Sequence, residues 1–423
     1  MDDSALPNLS QTNPIKLSKA PKNWAKQAKD RALLLQKHLI EWFENELSGM
    51  QTAIQQSISG TNFTSADIHF QLSSIKSRLE AGDLVRWVEQ CYGEEDQQLG
   101  QTKQNEQEEQ QVDQPLEQAH VLCIHAGNLP LVGLQDAIAV LLSGHNYTGK
   151  ISRKDPYLLV SILKWLVHRG WEAQIQDWTI ETTDIPATNF QKVLFAGSKS
   201  SLESLKSTLI KAQIIDEQTN WLNRTASFSM AYCPNKEMAK KYSTQLIEAI
   251  LRHDGKGCRS VGVIVSPVGL NELLKPIQNL LKSALHRTET ADIPDSKIQM
   301  QGVNRNRMSS VAYKQAYNLA VDRTFLCVED WFIEEHSLES VSEPRGNRLV
   351  YWVKADEEAL SSLVERFDFT LQNIYYLGDD ILAFKSFLKN TINVECIDYA
   401  QCPPLHWKPD GIDILRYLCP FII

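Results

Sequence analysis

The sequence predicts an α/β protein: an open parallel sheet, a second α/β half after it, and a helical region ahead of both. Three observations carry this prediction. Before residue 92, apolar side chains recur at helical spacing. From His120 to Lys211, short apolar runs alternate with amphipathic stretches, the pattern of a parallel sheet with helices on both faces. After residue 222 the alternation resumes around the apolar run Val261-Gly262-Val263-Ile264-Val265.

The N-terminal region, 1–92, reads as helix. Pro21 to about Gly49 carries Leu33, Leu34, Leu35, Leu39, Ile40, Trp42, Phe43 and Leu47, a broad apolar stripe. Ser65 to about Cys91 continues it with Ile68, Leu72, Ile75, Leu79, Leu84, Trp87 and Val88. Such faces pack on a protein body more often than on a membrane surface. Residues 93–118 are nearly all Glu, Gln, Asp, Lys and Asn, and read as a disordered polar insert, because they have no apolar burial to offset the entropy of ordering. Strands are predicted over Val121–Ile124, Tyr147–Ile151, Glu172–Asp177 and Lys192–Ala196, and helices over Val132–Ser143, Pro156–Arg169 and Ser201–Lys211. Gly144 is the C-terminal stop of the first of these helices. In the second half, Ser227–Tyr232 and Leu349–Val353 read as strands, and Lys236–Arg252, Leu270–His286 and Glu357–Arg366 as helices. The apolar tail Ile414–Ile423 packs either at home or against a second subunit, which leaves a homo-oligomer open.

The 423 residues are ample for more than one structural unit. At 43% hydrophobic and 22% charged, the composition is that of an ordinary globular chain. A net charge of −9 with no basic block argues against a nucleic-acid binder. Eight cysteines lie at wide spacings with no Cys-x-x-Cys pair and no zinc spacing, so no metal is expected and reduced thiols are. The start, Met1-Asp2-Asp3-Ser4, has no secretory pattern, and no apolar run is long enough to span a bilayer. These features place the chain in the cytoplasm.

One turn concentrates chemistry. His253-Asp254-Gly255-Lys256-Gly257-Cys258-Arg259-Ser260 leads straight into an apolar strand. Two glycines leave the sulfur unobstructed, and His253, Lys256 and Arg259 surround it with cations that favour the nucleophilic thiolate. The bland alternative is a buried structural cysteine beside a turn. A second stretch misleads: Gly144-His145-Asn146-Tyr147-Thr148-Gly149-Lys150 has the spacing of a phosphate loop, but Ile151 replaces the magnesium-binding Ser or Thr, and a helix precedes the motif where a strand should. No G-x-G-x-x-G follows a strand, so an ordinary dinucleotide fingerprint is missing too.

Several short motifs, in one order from about Phe63 to Leu418, resemble the acyl-CoA reductases of the bacterial bioluminescence type, divergent members of the aldehyde dehydrogenase superfamily. Ala126-Gly127-Asn128-Leu129-Pro130-Leu131-Val132-Gly133 resembles the superfamily's P-W-N-F-P-like turn. Ser143-Gly144-His145 through Lys150-Ile151-Ser152 resembles the G-N-x-x-x-x-K strand, and Phe195-Ala196-Gly197-Ser198 the F-T-G-S turn. Gly255-Lys256-Gly257-Cys258-Arg259-Ser260 resembles the reductases' G-x-G-C-R-N segment. Ala400-Gln401-Cys402-Pro403 and Asp410-Gly411-Ile412-Asp413 resemble their C-terminal signature.

The resemblance implies an aldehyde-dehydrogenase-like fold with a cofactor-binding domain over 119–222, a catalytic domain over 223–385, and a segment 386–423 returning to the cofactor domain or to an oligomer interface. It implies Cys258 as the nucleophile that holds the acyl group, and Asn128 with the Cys258 N–H as oxyanion donors. Gly197 and Ser198 would lie under the pyrophosphate of NADP, and Lys150 would reach the adenosine ribose, with Arg153 and Lys154 adding charge for a 2′-phosphate. Residue by residue the alternatives are plain: a turn former for Asn128, a solvated lysine for Lys150, a helix cap for Ser198. The departures matter as well. The superfamily's E-L-G-G-K strand matches Trp221-Leu222-Asn223-Arg224-Thr225-Ala226-Ser227, which has no glutamate to act as a base. The glutamate that contacts the nicotinamide ribose matches Glu339, Glu343 or neither. The implied activity is NADPH-dependent reduction of a fatty acyl thioester, from CoA or an acyl-protein, to an aldehyde. An aldehyde-oxidising dehydrogenase and a non-catalytic acyl-thioester scaffold are the alternatives.

Overall fold

The computed structural model describes residues 24–99, 118–290, 305–344, 348–367, 369–388 and 392–419. The start of the chain, residues 100–117 of the polar insert, and the last four residues of the tail lie outside them.

Four helices open the chain: α1 (Trp24–Glu44), α2 (Met50–Gly60), α3 (Ser65–Glu80) and α4 (Asp83–Leu99). Leu35, Leu39 and Trp42 of α1, Ile68 and Leu79 of α3, and Leu84 and Trp87 of α4 are buried in one core. Leu33, Leu34 and Leu47 belong to the apolar stripe in the sequence but stand exposed. Two boundaries differ from the sequence reading. The stretch from Ser65 is two helices, parted at Gly82. Residues 93–99, assigned to the polar insert, continue α4 as helix.

The first sheet comprises β1 (His120–Ile124), β2 (Asn146–Lys150), β3 (Ile175–Thr179), β4 (Lys192–Ala196) and β5 (Asn220–Arg224). Its order is β3-β2-β1-β4-β5, and every pairing is parallel. Helices α5 (Leu134–Ser143), α6 (Leu158–Leu166) and α7 (Lys199–Lys211) make the crossovers. Register aligns Ile124 with Lys150 and Phe195, and Ala196 with Arg224, so these strand ends share one carboxyl edge. The strand order reverses between β1 and β4, the switch point where open α/β sheets bind ligands.

The second sheet is built from β6 (Phe228–Tyr232), β7 (Val261–Ser266), β8 (Phe325–Val328), β9 (Trp331–His336), β10 (Leu349–Lys354), β11 (Leu371–Tyr376) and β12 (Val394–Cys396). Its order is β12-β11-β6-β7-β10-β9-β8, parallel except for the β8–β9 hairpin. Helices α8 (Lys236–Lys241), α9 (Ser243–Leu251), α10 (Leu274–Thr290), α11 (Arg305–Ala320), α12 (Glu358–Phe367) and α13 (Ile381–Phe387) accompany it. β12 and the buried Ile397 and Ala400 belong with this sheet, so the chain's return to the first half begins after them rather than at 386. The return ends in α14 (Ile414–Leu418), whose Ile414, Leu415 and Leu418 are fully buried in the core that holds α1 and α5. Burial of such side chains contributes about 1.5–3 kcal/mol each, enough to fix a helix too short to form alone.

No helix among the described residues is long and apolar enough to cross a membrane. No cluster of His, Cys, Asp and Glu among them is arranged to hold a metal ion.

Candidate active site

The carboxyl edge of the first sheet faces the amino edge of the second across a cleft of about 770 Å³. From the first sheet, Ile124, Lys150, Ala196 and Arg224 line it; from the second, Ser227, Cys258 and Gln372. Cys258, Asn128, Lys150, Gly197 and Ser198, chosen from four separated stretches of sequence, all face this cleft.

Cys258 sits just ahead of β7 on a strained turn. His253, Asp254 and Gly255 are consecutive left-handed residues, with φ of 55°, 60° and 66°. Only the last is glycine, so the first two hold a conformation that L-residues seldom adopt. The turn is held from several sides. Ser229 Oγ donates to the Cys258 carbonyl at 3.0 Å. Asn128 Nδ2 donates to the Lys256 carbonyl at 2.8 Å, tying the loop after β1 to the cysteine turn. An amide nitrogen has a second proton, so Asn128 retains a donor for a bound oxygen.

Of the expected cationic shell around the sulfur, Lys256 and His253 are engaged elsewhere, and Arg259 acts on the thiol only in part. Lys256 pairs with Asp254 at 2.8 Å. Arg259 is buried; its guanidinium binds Glu395 at 2.6 Å, the Tyr399 and Ala400 carbonyls at 2.7 and 2.9 Å, and stacks over Trp407. His253 is buried too, and desolvation lowers its pKa to about 4, so it is neutral at pH 7. Burial pushes the Cys258 thiol up to about 11; the negative charge of Asp410 adds to this, and Arg259 and Arg224 offset it only in part. The resting sulfur is therefore a thiol, not the thiolate expected from the neighbouring basic residues.

Behind the cleft lies a buried polar cluster. Arg224 Nη2 donates to Asp136 Oδ2 at 2.5 Å, and His125 Nε2 lies 2.8 Å from the Tyr147 hydroxyl. Burial lowers the His125 pKa to about 4, so its ring is neutral. Glycine is required at 133 and 149, where a Cβ would collide with the His125 ring and the Tyr147 ring respectively. The sequence reading missed this cluster because its members come from the end of β1, α5, β2 and β5.

On the opposite wall, Gly197 and Ser198 join β4 to α7, and Ser198 caps the helix by accepting from the Ser201 N–H at 3.2 Å. Ser201, Ser204 and Thr208 of the same helix also line the cleft. A helix N-terminus offers unpaired N–H groups and a positive dipole end, the physical features that hold a phosphate. Lys150 and Lys154 line this side, and desolvation lowers the Lys150 pKa. Arg153 is drawn off: its Nε donates to Glu181 Oε1 at 3.0 Å. Glu339 and Glu343 do not line the cleft; Glu343 accepts from Ser227 Oγ at 2.8 Å at its rim.

A carboxylate nevertheless reaches the place where sequence reading found none. Asp410 lines the cleft, accepting from the Thr225 and Ala226 N–H groups at 2.9 and 3.2 Å. It comes from the Asp410-Gly411-Ile412-Asp413 stretch, which the sequence singled out without a role.

Two α/β halves facing each other across a cleft form the aldehyde dehydrogenase fold, and solved structures bear it out. An NAD-dependent benzaldehyde dehydrogenase from Corynebacterium glutamicum superposes with a TM-score of 0.59 at 13% identity, over 90% of this chain and 84% of that one. A betaine aldehyde dehydrogenase from Staphylococcus aureus, solved with NAD+, gives 0.55 at 12% identity, over 88% and 76%. An NADP-dependent enzyme from E. coli gives 0.56 at 14% identity, over 89% and 79%. No curated protein matches the sequence. Residues 34–377 match the family model described as acyl-CoA reductase (LuxC), and the chain belongs to that family. It is an oxidoreductase, and the reduction of a fatty acyl group to an aldehyde is its general activity.

Proposed function

We propose that the chain reduces a fatty acyl thioester to an aldehyde with NADPH, through a thioester on Cys258. The observation that carries this reading is the Asn128–Lys256 hydrogen bond, which ties the Asn128 amide to the cysteine turn and so supports its role as oxyanion donor, on a cleft whose far wall is a helix N-terminus. The residues facing the cleft fit a dinucleotide: Gly197 and Ser198 at the start of α7 for the pyrophosphate, Lys150 for the ribose, and Lys150 with Lys154 for a 2′-phosphate. When bound, NADPH supplies the hydride. Cys258 takes the acyl group from CoA or from an acyl-protein, and Asn128 with the Cys258 N–H stabilises the oxyanion, each such donor being worth about 3 kcal/mol.

Asp410 favours a second reading, aldehyde oxidation, because a carboxylate in the cleft could activate water for release of an acid. One experiment separates the two. Wild-type protein mixed with acyl-CoA alone, then resolved by intact-mass spectrometry and peptide mapping, gives an adduct on Cys258. The isolated acyl-enzyme persists in buffer and is discharged as aldehyde by NADPH. Free fatty acid released within one turnover time instead supports oxidation, and an adduct on another cysteine overturns the nucleophile.

A further inference from the structure

We propose that Asp410 is the base that removes the Cys258 thiol proton as the sulfur attacks the acyl thioester; this rests on the reading of Cys258 as the nucleophile. Among the described residues, Asp410 is the only carboxylate lining the cleft. The other titratable groups there are unsuited to the task. His125 lies against Tyr147 and Asp136 in the buried cluster, while Lys150, Lys154, Lys256 and Arg224 are cations.

Asp410 is also held in place. Its backbone is left-handed, with φ of 52°, a conformation that aspartate and asparagine tolerate better than most residues. Oδ2 accepts from the two N–H groups of the connection between β5 and β6, and Oδ1 lies against the Gln372 side-chain amide, which donates to it at 2.8 Å in the amide orientation that satisfies both groups. Burial raises its pKa from the ordinary aspartate value despite the Thr225 and Ala226 N–H groups and Arg224, which makes it a stronger base than a surface aspartate. The charges that face the thiol are Asp410, Arg259 and Arg224; the charge that faces Asp410 is Arg224.

The exchange balances without any other reactant. The two side chains line one cleft without a direct hydrogen bond, so the Sγ proton passes to Asp410 through one bridging water, and the sulfur pair forms the Sγ–C bond. The C–S bond of the incoming thioester breaks, and the departing thiolate takes the proton from the Asp410 carboxylic acid. One thioester and one thiol are consumed, one of each is formed, and nothing is oxidised.

The test uses Asp410→Asn, which keeps the shape, tolerates the backbone angle and still offers an oxygen to the Thr225 and Ala226 N–H groups. Single-turnover acylation by acyl-CoA is followed without cofactor by quenched intact-mass spectrometry, and the thiol is titrated by thiolate absorbance. Expected are a fall in acylation rate at neutral pH of about 10²-fold or more, a thiol titration shifted downwards, and a recovery of rate as alkali ionises the sulfur unaided. The opposite signs are diagnostic: a mere electrostatic neighbour would give more thiolate and faster acylation. Acylation in Asp410→Asn as fast as in the wild type, or faster, overturns the proposal. If that variant does not fold, the wild-type pH profile decides. Acylation that levels off well below pH 11 fits a base, and acylation that climbs with pH to about 11, the thiol's own range, overturns it. A wild type that forms no adduct on Cys258 removes the nucleophile itself, whereas a Cys258 adduct forming equally fast in both proteins removes only the base.

Discussion

The two turns that face each other across the cleft invert what their sequences advertise. The cysteine turn, 253–260, is dense with charge, yet its Lys256 is paired with Asp254, its Arg259 with Glu395, and its His253 is neutral. The turn from β4 into α7 is small and uncharged, Ala196-Gly197-Ser198, yet it presents a helix start to the cleft. The difference teaches that charge next to a functional atom in sequence can be engaged elsewhere: Lys256 and His253 are, while Arg259, paired with Glu395, offsets only part of the rise in the Cys258 pKa. Arg259 secures the chain from 395 to 407 against the cysteine turn, whereas the remote Asp410 and Arg224 face the cleft beside Cys258.

The sharpest way to break this comparison is Arg259→Met. If Arg259 is a strut, the substitution leaves the half-buried Glu395 and two carbonyls without a partner, and lowers the unfolding free energy by about 3 kcal/mol, read by urea denaturation. A variant of unchanged stability whose thiol becomes much harder to ionise would make Arg259 the activator of Cys258.

A pH titration sharpens it next. His125, His145 and His253 all have pKa values lowered by burial to about 4 from an unfolded value of 6.5. Between those values the unfolded chain binds more protons than the native one, so stability is complete above pH 6.5 and falls as pH drops towards 4. Each histidine contributes a slope of up to about 1.4 kcal/mol per pH unit. His253→Gln should flatten the profile by one such share, measured by urea melts across that range. An unchanged profile would mean that His253 is charged in the native turn.

The smallest effect tests the wall around the start of α7. Lys150→Ala should weaken NADPH binding by about tenfold, near 1.4 kcal/mol, and NADH binding less, by fluorescence titration. Equal losses for both would assign Lys150 to the ribose alone and leave the 2′-phosphate to other groups.

The legible parts of the fold were those with strong local signals. β1, β4, β6, β7 and β10 are short, mostly apolar runs, and each was visible in the sequence. β11 was not, because it buries Gln372 and Asn373 in a central strand, and β12 is only three residues long. α2 escaped notice because its face is small and polar, with Ala53, Ile54 and Ser57 as its buried residues. The site residues were legible through short motifs, but the ionisation of Cys258 was not, since it depends on burial and on a carboxylate from the far end of the chain.

The protonated resting state of Cys258 also bears on the enzyme's durability. Peroxide attacks thiolates far faster than thiols. A thiol whose pKa is raised to about 11 offers little anion at neutral pH, so Cys258 of the free protein should react with peroxide more slowly than a cysteine of ordinary pKa.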